Sequence, residues 1–348
     1  MKDTLFAIGE ALIDFIPSDK GCDFSEVRSF SPKTGGAPAN VLGAFAKLGG
    51  KTQLLTQLGD DPFGHKIADE LKAFNIGLDY LEFTKAANTA LAFVSLGSDG
   101  DRTFSFYRNP SADMLYTAEN IGEGAFESCY ALHFCSVSLG DFPMKAAHKR
   151  AIEYARGKGA IICFDPNVRL PLWRGKDDLK AAIDEFLPMA DIIKLSDEET
   201  ELVTGCTDIA EGCRSLLKSA SVVLCTCGAG GAYAYTRGAE AFAPQRKVDA
   251  KDTTGAGDAF IGSFLYNLYR NGVEKAALGD ISKEKLTELL SASNNYCAAS
   301  VQKYGAIESY PEIICCREIA RICFFEGFEV YFAYKLQEQK REFGSCGL

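Results

Sequence analysis

The sequence predicts an α/β protein in which a mostly parallel sheet is covered by helices on both faces and a smaller sheet stands apart from it. Three observations predict this class. From residue 130 onward, apolar runs (ALHFCSVSL, AIICFD, DIIKLS, SVVLCTCG) alternate with helical patterns, as parallel strands buried on both faces do. Around residues 88–108 the period changes, and TALAFVSLGSDGDRTFSFYR reads as two strands about a GSDGD hairpin turn. Of the 348 residues 47% are apolar and 24% charged, which supports a large packed core.

The elements follow in order. LFAIGEALIDFIP reads as a strand that starts a sheet and ends in a polar rim. GGAPANVLGAFAKLGG reads as a glycine turn into a helix, with Pro38 in its first turn, Val41, Leu42, Phe45 and Leu48 on one stripe and Gly49 as its stop. TQLLTQLG is a buried strand. DDPFGHKIADELKAFNIG is a helix capped by Asp61, with Pro62 at its first position and Gly77 at its end. The hairpin at 88–108, with part of 15–34, forms the smaller sheet. The tail after Pro311, rich in Cys and Phe, reads as an added helix or an altered end.

The net charge of −10 argues against a nucleic-acid binder, which would show a basic face. It leaves room for one small anion held by local donors. The thirteen cysteines are scattered, several of them inside strand-like runs (Cys135, Cys163, Cys225), and they read as buried thiols of a reduced, cytoplasmic chain. Only three histidines are present, none near Cys225-x-Cys227 or Cys315-Cys316, so a metal–thiolate site is not expected. The N-terminus lacks a signal-peptide pattern, and no run approaches the ~20 apolar residues of a membrane span.

The chemistry centres on residues 251–260, KDTTGAGDAF. The run that follows has the apolar spacing of a buried helix, with Phe260, Phe264, Leu265 and Leu268 inward and Gly272 past its end. Gly255, Ala256 and Gly257 therefore sit at a helix N-terminus, where unpaired N–H groups and the helix dipole make an anion hole suited to phosphate. Asp258 in the first turn reads in two ways. It complements the dipole, or it is a general base beside a bound phosphate. The residues themselves leave both open.

The string DTTGAGDAF resembles the C-terminal signature of the ribokinase-like, or PfkB, carbohydrate kinases. GGAPANVLGAFAKLGG is similar to their N-terminal signature, and the resemblance runs in order over roughly residues 3–311. FYRNPSAD and FDPNVRLPLWRG bring the chain nearest to fructokinases. The chain has no GxxxxGK[ST] loop, so a nucleotide would be held differently from a P-loop protein.

The resemblance implies a three-layer α/β/α sandwich over residues 1–311. A small β-sheet lid drawn from about 12–34 and 88–113 would close over the sugar and exclude water. It implies ATP-dependent phosphorylation of a primary hydroxyl of a ketose, D-fructose to fructose 6-phosphate, with Asp258 as general base and Gly255-Ala256-Gly257 as anion hole. The sugar would meet Asp14, Gly35, Gly36, Asn40, Tyr107, Arg108 and Arg169. Asp165 and Asn167 accompany Arg169 at a strand end. The nucleotide would meet Lys194, Ser196, Thr226, Gly228, Gly255, Gly257 and Asn294, with Ser196 where the family has Asn. Glu199 would hold Mg²⁺ through water. A monovalent cation, K⁺, would be held by Asp252, Thr254, Val301, Lys303, Gly305 and Ser309, several through backbone carbonyls. The partners are the sugar and MgATP, with no nucleic acid or membrane, and the family pattern admits a homodimer formed through the lid.

Three rivals stand beside this reading. A 2-keto-3-deoxygluconate kinase would use Arg108 and Arg169 to hold a carboxylate. A non-catalytic sugar-binding relative would not need Asp258. An NAD-dependent oxidoreductase would want GxGxxG at the first strand–helix turn, which is not there.

Overall fold

The computed structural model describes residues 2–19, 21, 24–96 and 102–312. Two units divide the chain, Met1–Tyr310 and Pro311–Leu348, and every element below belongs to the first. The GSDGD turn (97–101) and the tail from residue 313 lie outside the described residues.

The opening run makes two strands, β1 (Thr4–Ile8) and β2 (Leu12–Pro17), where the sequence predicts one. Gly9, at φ 146°, breaks it there, a conformation that side chains rarely adopt, and the chain passes from the large sheet into the small one. β3 (Phe30–Gly35) returns to α1 (Ala37–Lys47), and β4 (Lys51–Gly59) leads to α2 (Pro62–Ala73). Asp61 caps α2 as expected, accepting from the Phe63 and Gly64 amides at 3.0 and 2.9 Å. The helix stops at Ala73, short of Gly77. Asn75 turns the chain at φ 59°, and Gly77 opens β5 (Gly77–Thr84).

β6 (Leu91–Leu96) and β7 (Arg102–Tyr107) form the expected hairpin. β8 (Cys129–Cys135), α3 (Pro143–Gly157), β9 (Ile161–Asp165), α4 (Lys176–Phe186), β10 (Ile192–Ser196), α5 (Asp197–Thr204), α6 (Ile209–Leu216) and β11 (Val222–Thr226) follow. Then come β12 (Ala232–Tyr235), β13 (Glu240–Ala243), α7 (Ala256–Arg270) and α8 (Lys283–Ser300).

Among the described residues the large sheet has the order β13-β12-β11-β10-β9-β8-β1-β4-β5. It is parallel except at β12 and β13. The small sheet has the order β3-β2-β6-β7, at the segments where the change of period predicts it. Its β2–β3 and β6–β7 pairs are antiparallel and β2–β6 is parallel.

α1 and α7, the helices that follow the two signature turns, pack against each other because glycine lets them approach. A Cβ on Gly262 would lie 2.5 Å from the Val41 carbonyl oxygen and 2.7 Å from Ala44 Cβ. Gly→Ala inside a helix ordinarily stabilises by about 1 kcal/mol. Here overpacking, at about 1–3 kcal/mol, outweighs that gain. Gly262→Ala is expected to lower Tm in a thermal melt. An unchanged or raised Tm would show that the two helices separate without cost.

Candidate active site

The carboxyl ends of the parallel strands carry the polar groups. Asp165 ends β9, Ser196 ends β10 and Thr226 ends β11, with Ser196 and Thr226 in register. This is the edge at which open parallel sheets bind ligands. α7 begins beside it. Gly255, its N-cap, adopts φ 71°, and a Cβ there would strike the Tyr310 hydroxyl at 2.4 Å. That hydroxyl donates to the Gly255 carbonyl at 2.8 Å, which fixes the turn. Fewer first-turn amides are left open than the sequence predicts. The Ala256 amide points to the Thr253 carbonyl at 3.2 Å, leaving the first-turn amides of Gly257 and Asp258, which have no intrahelical acceptor.

Asp258 is buried, only 7% exposed, and two side-chain amides hold its carboxylate. Asn40 Nδ2, from α1, donates to Oδ2 at 2.9 Å. Asn167 Nδ2 donates to Oδ1 at 3.4 Å. Burial raises the Asp258 pKa, against the Asn40 hydrogen bond and the positive charges of Lys194 and Arg169, and Glu199 adds to the rise. A raised pKa brings a carboxylate nearer to what a general base needs at neutral pH. Asn40 Oδ1 is buried with no hydrogen-bond partner in the protein, so this amide still has an acceptor for an incoming hydroxyl.

Lys194 lies beside Gly257, with Nζ 3.1 Å from where a Cβ there would stand. Nζ also pairs with Asp165 Oδ2 at 3.0 Å. Burial works to lower the Lys194 pKa, but Asp165 and Glu199 overcome it and hold the ammonium charged. Burial pushes Asp165 up to about 6 despite Lys194. The sequence places Lys194 at a phosphate but gives no sign of this buried counter-ion.

Glu199 and Ser196 form a reciprocal capping box at the start of α5. The Glu199 amide donates to Ser196 Oγ at 3.2 Å, and the Ser196 amide to Glu199 Oε2 at 2.9 Å. Glu199 Oε1 accepts from the Val168 amide at 2.6 Å and so ties the loop after β9 to α5. Each Glu199 oxygen holds one amide and keeps a second lone pair, which suits a hydrogen bond from a water of a Mg²⁺ shell. Arg169, on that loop, is exposed, and its charge acts on Asp258. Thr226 Oγ1 donates to the Leu195 carbonyl, and Gly228 is exposed at φ 49°.

Two glycines shape the sugar side. A Cβ on Gly35 would lie 2.1 Å from Asp14 Oδ2, so that carboxylate rests over Gly35. Gly36, at φ 108°, would meet the Glu10 carbonyl at 2.5 Å. Four of the residues expected around a monovalent cation, Asp252, Thr254, Val301 and Gly305, lie in contact with one another. Asp252 accepts from Thr254 through Oδ1 and from the Gly305 amide through Oδ2, and the Lys251 and Asp252 amides both donate to the Val301 carbonyl. Asp252 and Thr254 supply suitable oxygens, whereas Val301 already uses both lone pairs. Lys303 and Ser309 bond locally, the Lys303 amide to Ser300 and Ser309 Oγ to Ala306.

The pfkB family carbohydrate kinase model matches residues 2–313. The chain belongs to this family. It is 39% identical over 312 residues to a probable fructokinase-4 of Arabidopsis thaliana, covering 89% of this chain and 94% of the relative. A fructokinase of Xylella fastidiosa with bound ATP superposes with a TM-score of 0.83 at 33% identity, over 92% of this chain and 99% of that one. A double-mutant fructokinase of Vibrio cholerae, bound to fructose, ADP and potassium ion, gives 0.79 at 28% identity, over 91% and 98%. As a pfkB kinase the protein is a phosphotransferase whose acceptor is a hydroxyl group of a sugar, and its fold is ribokinase-like.

Three residues expected at the site of this pfkB kinase make contacts within the protein. Arg108 does not extend from the small sheet. Its side chain is 4% exposed and pairs with Asp113, donating also to the Val137 carbonyl at 2.9 Å and to Ser138 Oγ at 3.1 Å. Ser138 in turn donates to the buried Glu10 at 2.7 Å. Tyr107 is 63% exposed and meets Phe93 edge-on at 5.3 Å. Strand register puts Phe93 with Phe15, and Asp14 with Ala92 on the opposite face, so Tyr107 and Asp14 face different ways. Asn294 directs Nδ2 to the Ala243 and Pro244 carbonyls and secures the end of β13. Glu10 is a buried acid that no sequence motif marks, because the run LFAIGEALIDFIP reads as a single strand through it.

Proposed function

We propose that the protein is a fructokinase that transfers the γ-phosphate of ATP to the primary 6-hydroxyl of D-fructose. One observation carries the reading: Asn40 of the first signature grips Asp258 of the second, 218 positions away, at the mouth of a helix N-terminus. Asp258 takes the proton from the sugar hydroxyl. The amides of Gly257 and Asp258, with Lys194 beside Gly257, stabilise charge on the transferring group. Asp14, Gly35, Gly36 and Asn40 hold the sugar under the small sheet, which acts as a lid on the domain 1–311. Ser196, Thr226 and Gly228 border the nucleotide, and Asn294 shapes that border through β13.

Mg²⁺, which would neutralise phosphate charge, would stand near Glu199 through water. K⁺ would stand at the Asp252–Thr254 turn, a reading supported by the potassium ion in the Vibrio relative. The exposed aromatics Phe24 and Tyr107, both packed against Phe93 of the small sheet, support a homodimer through the lid. The eight described cysteines are all free, in keeping with a cytoplasmic location.

A 2-keto-3-deoxygluconate kinase would want two arginines for the carboxylate. Arg108 is engaged inside the protein, which favours the neutral ketose. Coupled detection of ADP with each sugar, with and without K⁺, tests the assignment. Fructose is expected to be the preferred acceptor, with faster turnover in K⁺. Preference for 2-keto-3-deoxygluconate, or no sugar-dependent ADP, would overturn it.

A further inference from the structure

We propose that Asn167 is a positioning residue which, opposite Asn40, clamps the Asp258 carboxylate in the orientation that meets the acceptor hydroxyl; this rests on Asp258 being the base. Asn167 is 8% exposed and adopts φ 45°, a left-handed conformation that Asn tolerates better than most residues. Both of its donors point at acids. Its amide N–H donates to Asp165 Oδ1 at 3.1 Å, and its side-chain Nδ2 to Asp258 Oδ1 at 3.4 Å. The next residue is fixed as well, through Val168 N to Glu199 Oε1. Asp165 is itself held by Lys194. The backbone at 167 is therefore anchored on both sides, and its side chain reaches the base from the side opposite Asn40.

A carboxylate torsion is broad and nearly two-fold when nothing holds it. A neutral amide on each oxygen fixes it and leaves the remaining lone pairs for the hydroxyl proton. Neutral donors also orient the group with less loss of basicity than a cation in contact would cause. The charges that face Asp258 are Lys194 from β10, Arg169 and Asp165 from β9 and its loop, and Glu199 from α5. Cys135, Cys297 and Tyr310 face it as neutral groups.

Asn167→Asp keeps the shape and replaces the donor with a second carboxylate. Asn167→Gly keeps the left-handed backbone and removes the amide. Both are expected to lower kcat by about 10- to 100-fold, the scale of a misplaced reacting group. KM for MgATP stays within about two-fold, a change too small to register as lost binding energy. Asn167→Asp alone should move the acidic limb of the kcat/KM profile for fructose to higher pH, because a like charge raises the base's pKa. A residue that only shapes the loop would lower Tm without moving that limb. Asp258→Asn, measured alongside, separates the failures. If it retains near-normal kcat, the base assignment falls and the clamp with it. If it loses activity while both Asn167 variants keep wild-type kcat and the wild-type limb, the clamp alone is overturned. Should Asn167→Asp not fold, Asn167→Gly decides through its kcat.

Discussion

Asp258→Asn is expected to turn over about 10²- to 10⁴-fold more slowly than wild type, the usual contribution of a general base. That corresponds to about 3–5 kcal/mol of transition-state stabilisation. KM for fructose and MgATP should change little, since the amide keeps the volume and the open first-turn amides of α7 belong to the backbone. The fold should not suffer. The folded-state pKa of Asp258 is raised, so its charged form opposes folding. That penalty is absent below the unfolded pKa near 3.8 and sets in as pH rises past it. Removing the charge relieves the penalty, and three acids (Asp165, Glu199, Asp258) share one buried lysine. Loss of kcat with an undiminished Tm at pH 7 is the expected pair of results. Near-normal kcat would sink the assignment of the base. A collapse of Tm would show that Asp258 is a structural cap.

Arg108→Met is expected to destabilise the protein by about 3–5 kcal/mol, the range for breaking a buried ion pair from one side. The guanidinium is closed in by Asp113, the Val137 carbonyl and Ser138, and through Ser138 it reaches Glu10. Burial works to lower the Arg108 pKa, and Asp113 and Glu10 more than offset it. Without the arginine two carboxylates remain in a dry site. Burial already raises the Glu10 pKa with Arg108 present. The variant should therefore be weakest at neutral and alkaline pH and recover partly as pH falls and Glu10 protonates. Arg108→Lys should recover only part of the loss, because an ammonium cannot reach three acceptors as a planar fork does. Urea midpoints at two pH values read this directly. An unchanged midpoint together with a raised KM for sugar would mean that Arg108 serves the substrate, as the sequence suggests.

Much of this was legible in the residues themselves. Alternation of apolar runs with helical periods specified the parallel sheet, because strands covered on both faces must be apolar throughout. The change of period at 88–108 located the small sheet. The glycines before Asp258 announced a helix N-terminus open to an anion, because only there are backbone amides left unpaired. What the sequence could not specify were pairings between groups far apart in the chain. Asn40 and Asn167 meet Asp258 only because α1, the loop after β9 and α7 converge at one sheet edge. Lys194 finds Asp165 because β9 and β10 are neighbours. Arg108, which the family resemblance assigns to the sugar, turns inward because the buried Asp113 and Glu10 hold its charge. Local pattern reports which surface a residue prefers. Which charge it meets there depends on the packing of distant segments, and in a low-dielectric interior that meeting decides whether a side chain serves the substrate or the fold.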